Sequence, residues 1–152
     1  MEYVIIKENN FDKARREIKK NKDKKIIFSS NDDELNRKIL ESERINVLLL
    51  NQANKKDFQK QRNSGFNQVL ARIAKKNKIE IGINLDEIIE SFPKEKSVML
   101  ARIKQNIKLC NKAKLKIKFM AQKQENQRNQ YDLKSLGIIL GMPTWIIQEF
   151  SD

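Results

Sequence analysis

The chain has 152 residues, 39% apolar and 34% charged, which suffices for one domain with a real core and is too apolar for a disordered segment. Its net charge of +12 favours a polyanionic partner, while the single cysteine, Cys110, excludes an internal disulfide framework and fits a reducing cytoplasm. No apolar run approaches the roughly 20 residues that span a bilayer, and residues 1–10 lack the features of a signal peptide, so no membrane role is expected.

Residues 3–7 read as a short aliphatic strand. Phe11, Ala14 and Ile18 then mark one face of a helix, with Lys13, Arg15, Arg16, Lys19 and Lys20 around the rest. After a polar turn, residues 25–29 form a second strand. Asn31 or Asp32 can cap a helix whose apolar positions are Leu35, Ile39 and Leu40, and the acids Asp32, Asp33 and Glu34 suit its positive end. Residues 45–50 are a near-continuous apolar run, the pattern of a parallel strand buried on both faces. Residues 51–63 follow as a long polar loop of basic character.

The clearest pattern lies in residues 62–89. Ser64-Gly65 breaks the polar run, and the Ser64 hydroxyl is expected to cap a helix beginning near Phe66. Phe66, Val69, Leu70, Ile73 and Ala74 supply one apolar face, with Arg72, Lys75 and Lys76 largely opposite. Asn77-Lys78 closes the helix, residues 79–85 alternate as a strand, and residues 86–91 form a further helix. Phe92-Pro93 breaks the chain. Ser97 is expected to cap a long helix to about residue 112, carrying Val98, Ala101, Ile103, Ile107 and Cys110 as apolar positions. Leu115, Ile117 and Phe119 give a fifth strand, with Lys116 and Lys118 on its other side. A polar loop over 122–130 precedes a helix that Asp132 could cap, with Leu133, Leu136 and Leu140, and Gly141 ends it. A last short helix follows Pro143 and contains Trp145, Ile146 and Phe150, with Trp145 read as a packing residue. Strand centres near 4, 27, 48, 82 and 118, each separated by a helix, predict a single α/β domain over residues 1–152 with mostly parallel strands.

Arg62, Ser64, Gly65, Asn67, Leu70, Ala74 and the strand at 79–85 together resemble the central block of the ribonuclease P component 3 family, the archaeal and eukaryotic p-thirty subunits. In that family an Arg-x-Ser-Gly loop leads into a helix and an aliphatic strand. The likeness continues more weakly through residues 100–112 and Tyr131-Asp132-Leu133-Lys134, covers about 45–140 and is poor before it. The resemblance implies a TIM-like (β/α) barrel. A complete one needs eight strands in roughly 200–250 residues; with about five βα units here, the expectation is a partial or open barrel, shortened at its N-terminal side. Open edge strands invite pairing, so the missing wall could come from a second copy or another subunit.

Charge is segregated along the chain. Residues 55–78 hold eight basic residues and one acid, and residues 102–118 hold seven basic residues and no acid. These windows together exceed the net charge of the whole chain, so the remainder is slightly acidic. That points to nucleic-acid contact, first through Lys55, Lys56, Lys60 and Arg62, then through Arg72, Lys75, Lys76, Arg102, Lys104 and Lys108. For any one of these the plain alternative is a solvated surface charge. Ser64, Gly65 and Asn67, with Arg62, form the family-motif loop and are expected to shape it rather than touch RNA.

The chain contains no histidine. Histidine-based triads are therefore impossible, and no metal-ligating set of the kind held by the related barrel hydrolases stands out. Asp86-Glu87 follows a strand but suits a helix start, and Ser64-Gly65 is no phosphate-binding P-loop. No catalytic or metal-binding residue is expected. Two readings remain. The first, implied by the resemblance, is a non-catalytic subunit of ribonuclease P, stabilising a catalytic RNA that performs the 5′ maturation of precursor tRNA. Its partners would be ribonuclease P RNA, precursor tRNA and the component 2 protein, or a second copy in a homodimer. The protein itself would bind no cofactor, and Mg2+ would serve the RNA-catalysed reaction. The alternative is a stand-alone metal-dependent phosphoesterase, disfavoured by the absent histidines.

Overall fold

A computed structural model describes residues 2–148 and Phe150. The elements alternate: β1 (Tyr3–Lys7), α1 (Phe11–Lys20), β2 (Lys25–Ser29), α2 (Asp33–Ser42), β3 (Val47–Leu50), α3 (Gln68–Lys76), β4 (Glu80–Asn84), α4 (Leu85–Glu90), α5 (Pro93–Ala113), β5 (Ile117–Met120), α6 (Gln130–Ile139) and α7 (Thr144–Ile147). All five strands pair in parallel in the order β1-β2-β3-β4-β5. Strand order that follows chain order without reversal is the topology of a (β/α) barrel wall, here open among the described residues.

Alternation along the strands explains the two faces. Ile6, Ile26, Phe28, Leu48, Leu50, Ile81, Ile83, Ile117 and Phe119 form one core with the helices. The intervening Ile27, Val47 and Leu49, with Met120 against them, make a smaller cluster on the opposite face. That face is concave. Neighbouring strands lie about 4.8 Å apart, so flat β1 and β5 would stand roughly 19 Å apart. Yet the Lys118 ammonium of β5 lies 5.5 Å from the centre of the Tyr3 ring of β1. Only a strongly curled sheet brings those side chains together.

The five strands and their spacing agree with the sequence pattern, but several helix starts do not. Asn67, not Ser64, caps α3, its side chain accepting from the Leu70 amide at 2.9 Å. The α3 face that packs is Leu70, Ala71 and Ala74, whereas Val69 is 48% exposed and Ile73 half-buried. Small Ala71 and Ala74 let neighbouring helices approach, which turns the buried stripe away from Val69. Helix α5 begins at Pro93, whose fixed φ and missing N–H suit a first helical position. Ser97 lies inside it and donates to the Lys94 carbonyl. Val98 faces solvent, and Met99, Arg102 and Asn106 join the buried face instead. Asn129, not Asp132, caps α6. Asn84 caps α4 directly from the end of β4. Trp145 is half-buried and donates to Asn111 at 2.9 Å, consistent with packing.

Asn67→Ala removes the single side-chain cap of α3 and is expected to lower stability by about 1 kcal/mol. Thermal unfolding should show a fall of roughly 2–4 °C. An unchanged midpoint would mean that the α3 terminus is held by its packing alone. Cys110 lies fully buried in α5, and burial pushes its thiol up to about 12, so it serves as a small apolar residue rather than a nucleophile.

Candidate nucleic-acid interface

The residues between β3 and α3 have almost no regular structure of their own, and their shape is imposed from beneath by α5. Arg102 is only 5% exposed. Its Nε donates to Asp57 Oδ1 at 3.0 Å, and its two terminal nitrogens donate to the carbonyls of Gln52 (3.1 Å) and Lys55 (2.8 Å). The guanidinium fork thus holds three points of one loop. Asp57 also accepts from the Asn63 amide at 2.9 Å. That amide first, and Arg102 second, hold the Asp57 carboxyl below the usual range, so this anchor is intact at neutral pH and lost only as pH falls through the lowered value.

The motif residues complete the frame. The Ser64 carbonyl accepts from the side-chain amides of Gln52 at 2.9 Å and Asn106 at 3.3 Å. Gly65 has a φ of +73°, and a Cβ there would stand 3.2 Å from the Lys55 side chain and 3.3 Å from Asp33. Lys55 and Asp33 form an ion pair at 2.9 Å, with the lysine side chain 12% exposed.

The ten cations singled out in the sequence therefore separate into groups. Arg102 and Lys55 are internal braces, engaged by protein oxygens, and the structure withdraws them from the exposed surface. Lys56, Lys60, Arg62, Lys104 and Lys108 are exposed. Arg62, Lys104 and Lys108 line one open groove of about 460 Å³ with Ala101, Gln105 and Leu109, and no acid lines it. The fold thus joins the two basic windows there. Lys75 belongs elsewhere: it donates to the Lys114 carbonyl at the end of α5 and lines a separate hollow with Lys78, Lys114 and Trp145. Helix C-termini attract cations through their free carbonyls, which accounts for that cluster. Arg72 and Lys76 stand exposed on α3 and line neither hollow.

At the C-terminal ends of β2 to β5, where barrel enzymes place their chemistry, the residues are neutral or internally engaged, while β1 ends on the exposed Lys7. Asn51 donates to Ser29 and Asn31, and Asn84 donates to Asn51. Burial pushes the Asp86 carboxyl up, but Asn126 and the amides of Gln122 and Lys123 outweigh it and leave it below the ordinary range. Burial dominates for Glu87 and raises it, although it accepts from the Gln52 amide at 2.7 Å. Both carboxylates fasten loops. Among the described residues no three histidine, cysteine, aspartate or glutamate side chains gather as metal ligands would.

Sequence reasoning passed over Phe58, which projects from the loop 62% exposed. The available signal was an aromatic residue among cations with no periodic apolar partner.

Ribonuclease P protein component 3 of Methanococcus vannielii is 29% identical over 105 residues, covering 69% of this chain and 42% of that protein. The protein of the same name from Methanosarcina mazei is 34% identical over 87 residues, covering 57% of this chain and 34% of the relative. Each match thus spans less than half the length of the curated relative. A chain in a cryo-EM structure of archaeal ribonuclease P with mature tRNA shares the fold, with a TM-score of 0.81 at 24% identity over 97% of this chain and 64% of that one. The family model described as RNase P subunit p30 matches residues 4–146, and the chain therefore belongs to that family.

Proposed function

We propose that this chain is a non-catalytic protein subunit of ribonuclease P that binds and stabilises the catalytic RNA during 5′ maturation of precursor tRNA. The observation that carries the reading is the acid-free groove of Arg62, Lys104 and Lys108, with Lys56 and Lys60 exposed on the same loop as Arg62. Such a surface neutralises phosphates without reading sequence. Family membership supplies the identity of the RNA, and the neighbouring solved structure is itself an archaeal ribonuclease P bearing mature tRNA. The open strand edges of β1 and β5 suit a protein partner, the component 2 subunit or a second copy. Magnesium would serve the RNA, in the cytoplasm.

Reconstitution tests this. The purified chain with precursor tRNA and magnesium or manganese is expected to be inactive. Adding ribonuclease P RNA and companion subunits should give cleavage, with this chain lowering the magnesium required. Phosphoester turnover by the chain alone, or cleavage indifferent to its presence, would overturn the reading.

A further inference from the structure

We infer that Phe58 is a stacking platform for an unpaired base, carried on a hairpin that Arg102 holds rigid. The inference rests on the RNA-binding reading above and adds the kind of nucleotide recognised. Phe58 is the single apolar residue between Lys55 and Arg62, and folding gives it no place in the core. Phe58 and Gln61 pair across a tight turn, amide to carbonyl at 2.8 and 3.4 Å. Asp57, beside the ring, is pinned by the Asn63 amide and by Arg102, which reaches two further carbonyls of the same loop. A buried guanidinium is thus wholly engaged in fixing a surface loop. Apart from Asp57, whose charge Arg102 meets, the charged residues within four positions of Phe58 in the chain are Lys55, which Asp33 engages, and the exposed Lys56, Lys60 and Arg62.

Rigid presentation removes the ordering cost that a floppy aromatic would incur on binding. A phenyl face flanked by phosphate-seeking cations is the combination that holds single strands, because an unpaired base offers a free π-face and a base inside a duplex does not. A protein could also cover an exposed phenylalanine, but the surrounding cations favour a polyanion.

The test uses the full chain with two probes, an oligouridylate single strand and a fully paired RNA duplex of equal length, read by fluorescence anisotropy at fixed salt. Phe58→Ala and Phe58→Leu should each weaken single-strand binding by roughly 5- to 150-fold, the range measured for losing one base stack. Phe58→Tyr should hold it within about twofold. Duplex binding and the salt slope should not move, since no phosphate contact is lost. Full binding by Phe58→Leu would replace stacking with simple apolar contact and overturn the inference. So would equal losses on the duplex, or unchanged RNA binding with loss of component 2 binding, which would make the ring a protein contact. If the wild-type chain bound neither probe, the RNA reading itself would fail. Wild-type binding with indifferent Phe58 variants would sink the stacking role alone.

Discussion

Replacing Lys56, Lys60, Arg62, Lys104 and Lys108 together by alanine is expected to flatten the slope of log affinity against log salt by about two to four units. Each phosphate neutralised contributes roughly −0.7 on single strands and −0.9 on duplex, and five exposed cations rarely all make contact at once. All five lie outside the packed core and none serves as a helix cap, so folding should survive. Lys55 and Arg102 are left out of this set because their charges are already met by Asp33 and Asp57. The reconstituted enzyme should then need more magnesium, yet still cleave at high magnesium. A control triple at Lys13, Arg16 and Lys20, exposed on α1 and outside both basic windows, should change little. Equal effects per charge removed from the two sets would mean that only net charge matters, and the localised surface would be wrong.

Arg102→Met should behave in the opposite way. It leaves the Gln52 and Lys55 carbonyls without their donor and frees Asp57, and the loop loses its brace. An unpaired buried acceptor costs about 1–3 kcal/mol. The Asp57 side is open to solvent and adds little. A total of about 2–4 kcal/mol follows, or roughly 5–15 °C in the thermal midpoint for a chain of this size. Arg102→Lys should recover only part, because a single ammonium cannot reach three separated acceptors. Single-strand affinity should fall as the Phe58 hairpin loosens, while the salt slope stays close to wild type. Unchanged stability with a slope reduced by nearly one unit would show that Arg102 meets a phosphate directly, and its bracing role would be wrong.

Much of the architecture was legible because it depends on short-range pattern. The apolar run at Val47–Leu50 announces a strand covered on both sides, and its burial is complete. The five strand centres and the helices between them fall where periodicity places them, although the buried stripes of α3 and α5 are turned from the predicted faces. Motif residues from Arg62 to Ala74 were readable for the same reason: their contacts begin within a few positions, as when Asn67 caps the Leu70 amide. Helix starts were less legible. Ser64 and Asn67, or Asn129 and Asp132, are each chemically competent to cap, and only the backbone path chooses between them.

The sequence by itself determined the alternating α/β topology, the family motif and the sign and clustering of charge, since each is written in local spacing and composition. The tertiary structure alone decided which cations face outward. Arg102 and Lys104 stand two positions apart on one helix, yet one is buried and the other exposed. What separates them is a set of acceptors 45 to 50 residues away, at Gln52, Lys55 and Asp57. Burying a guanidinium is tolerable only where such partners converge, and that convergence exists only once α5 has packed beneath the loop.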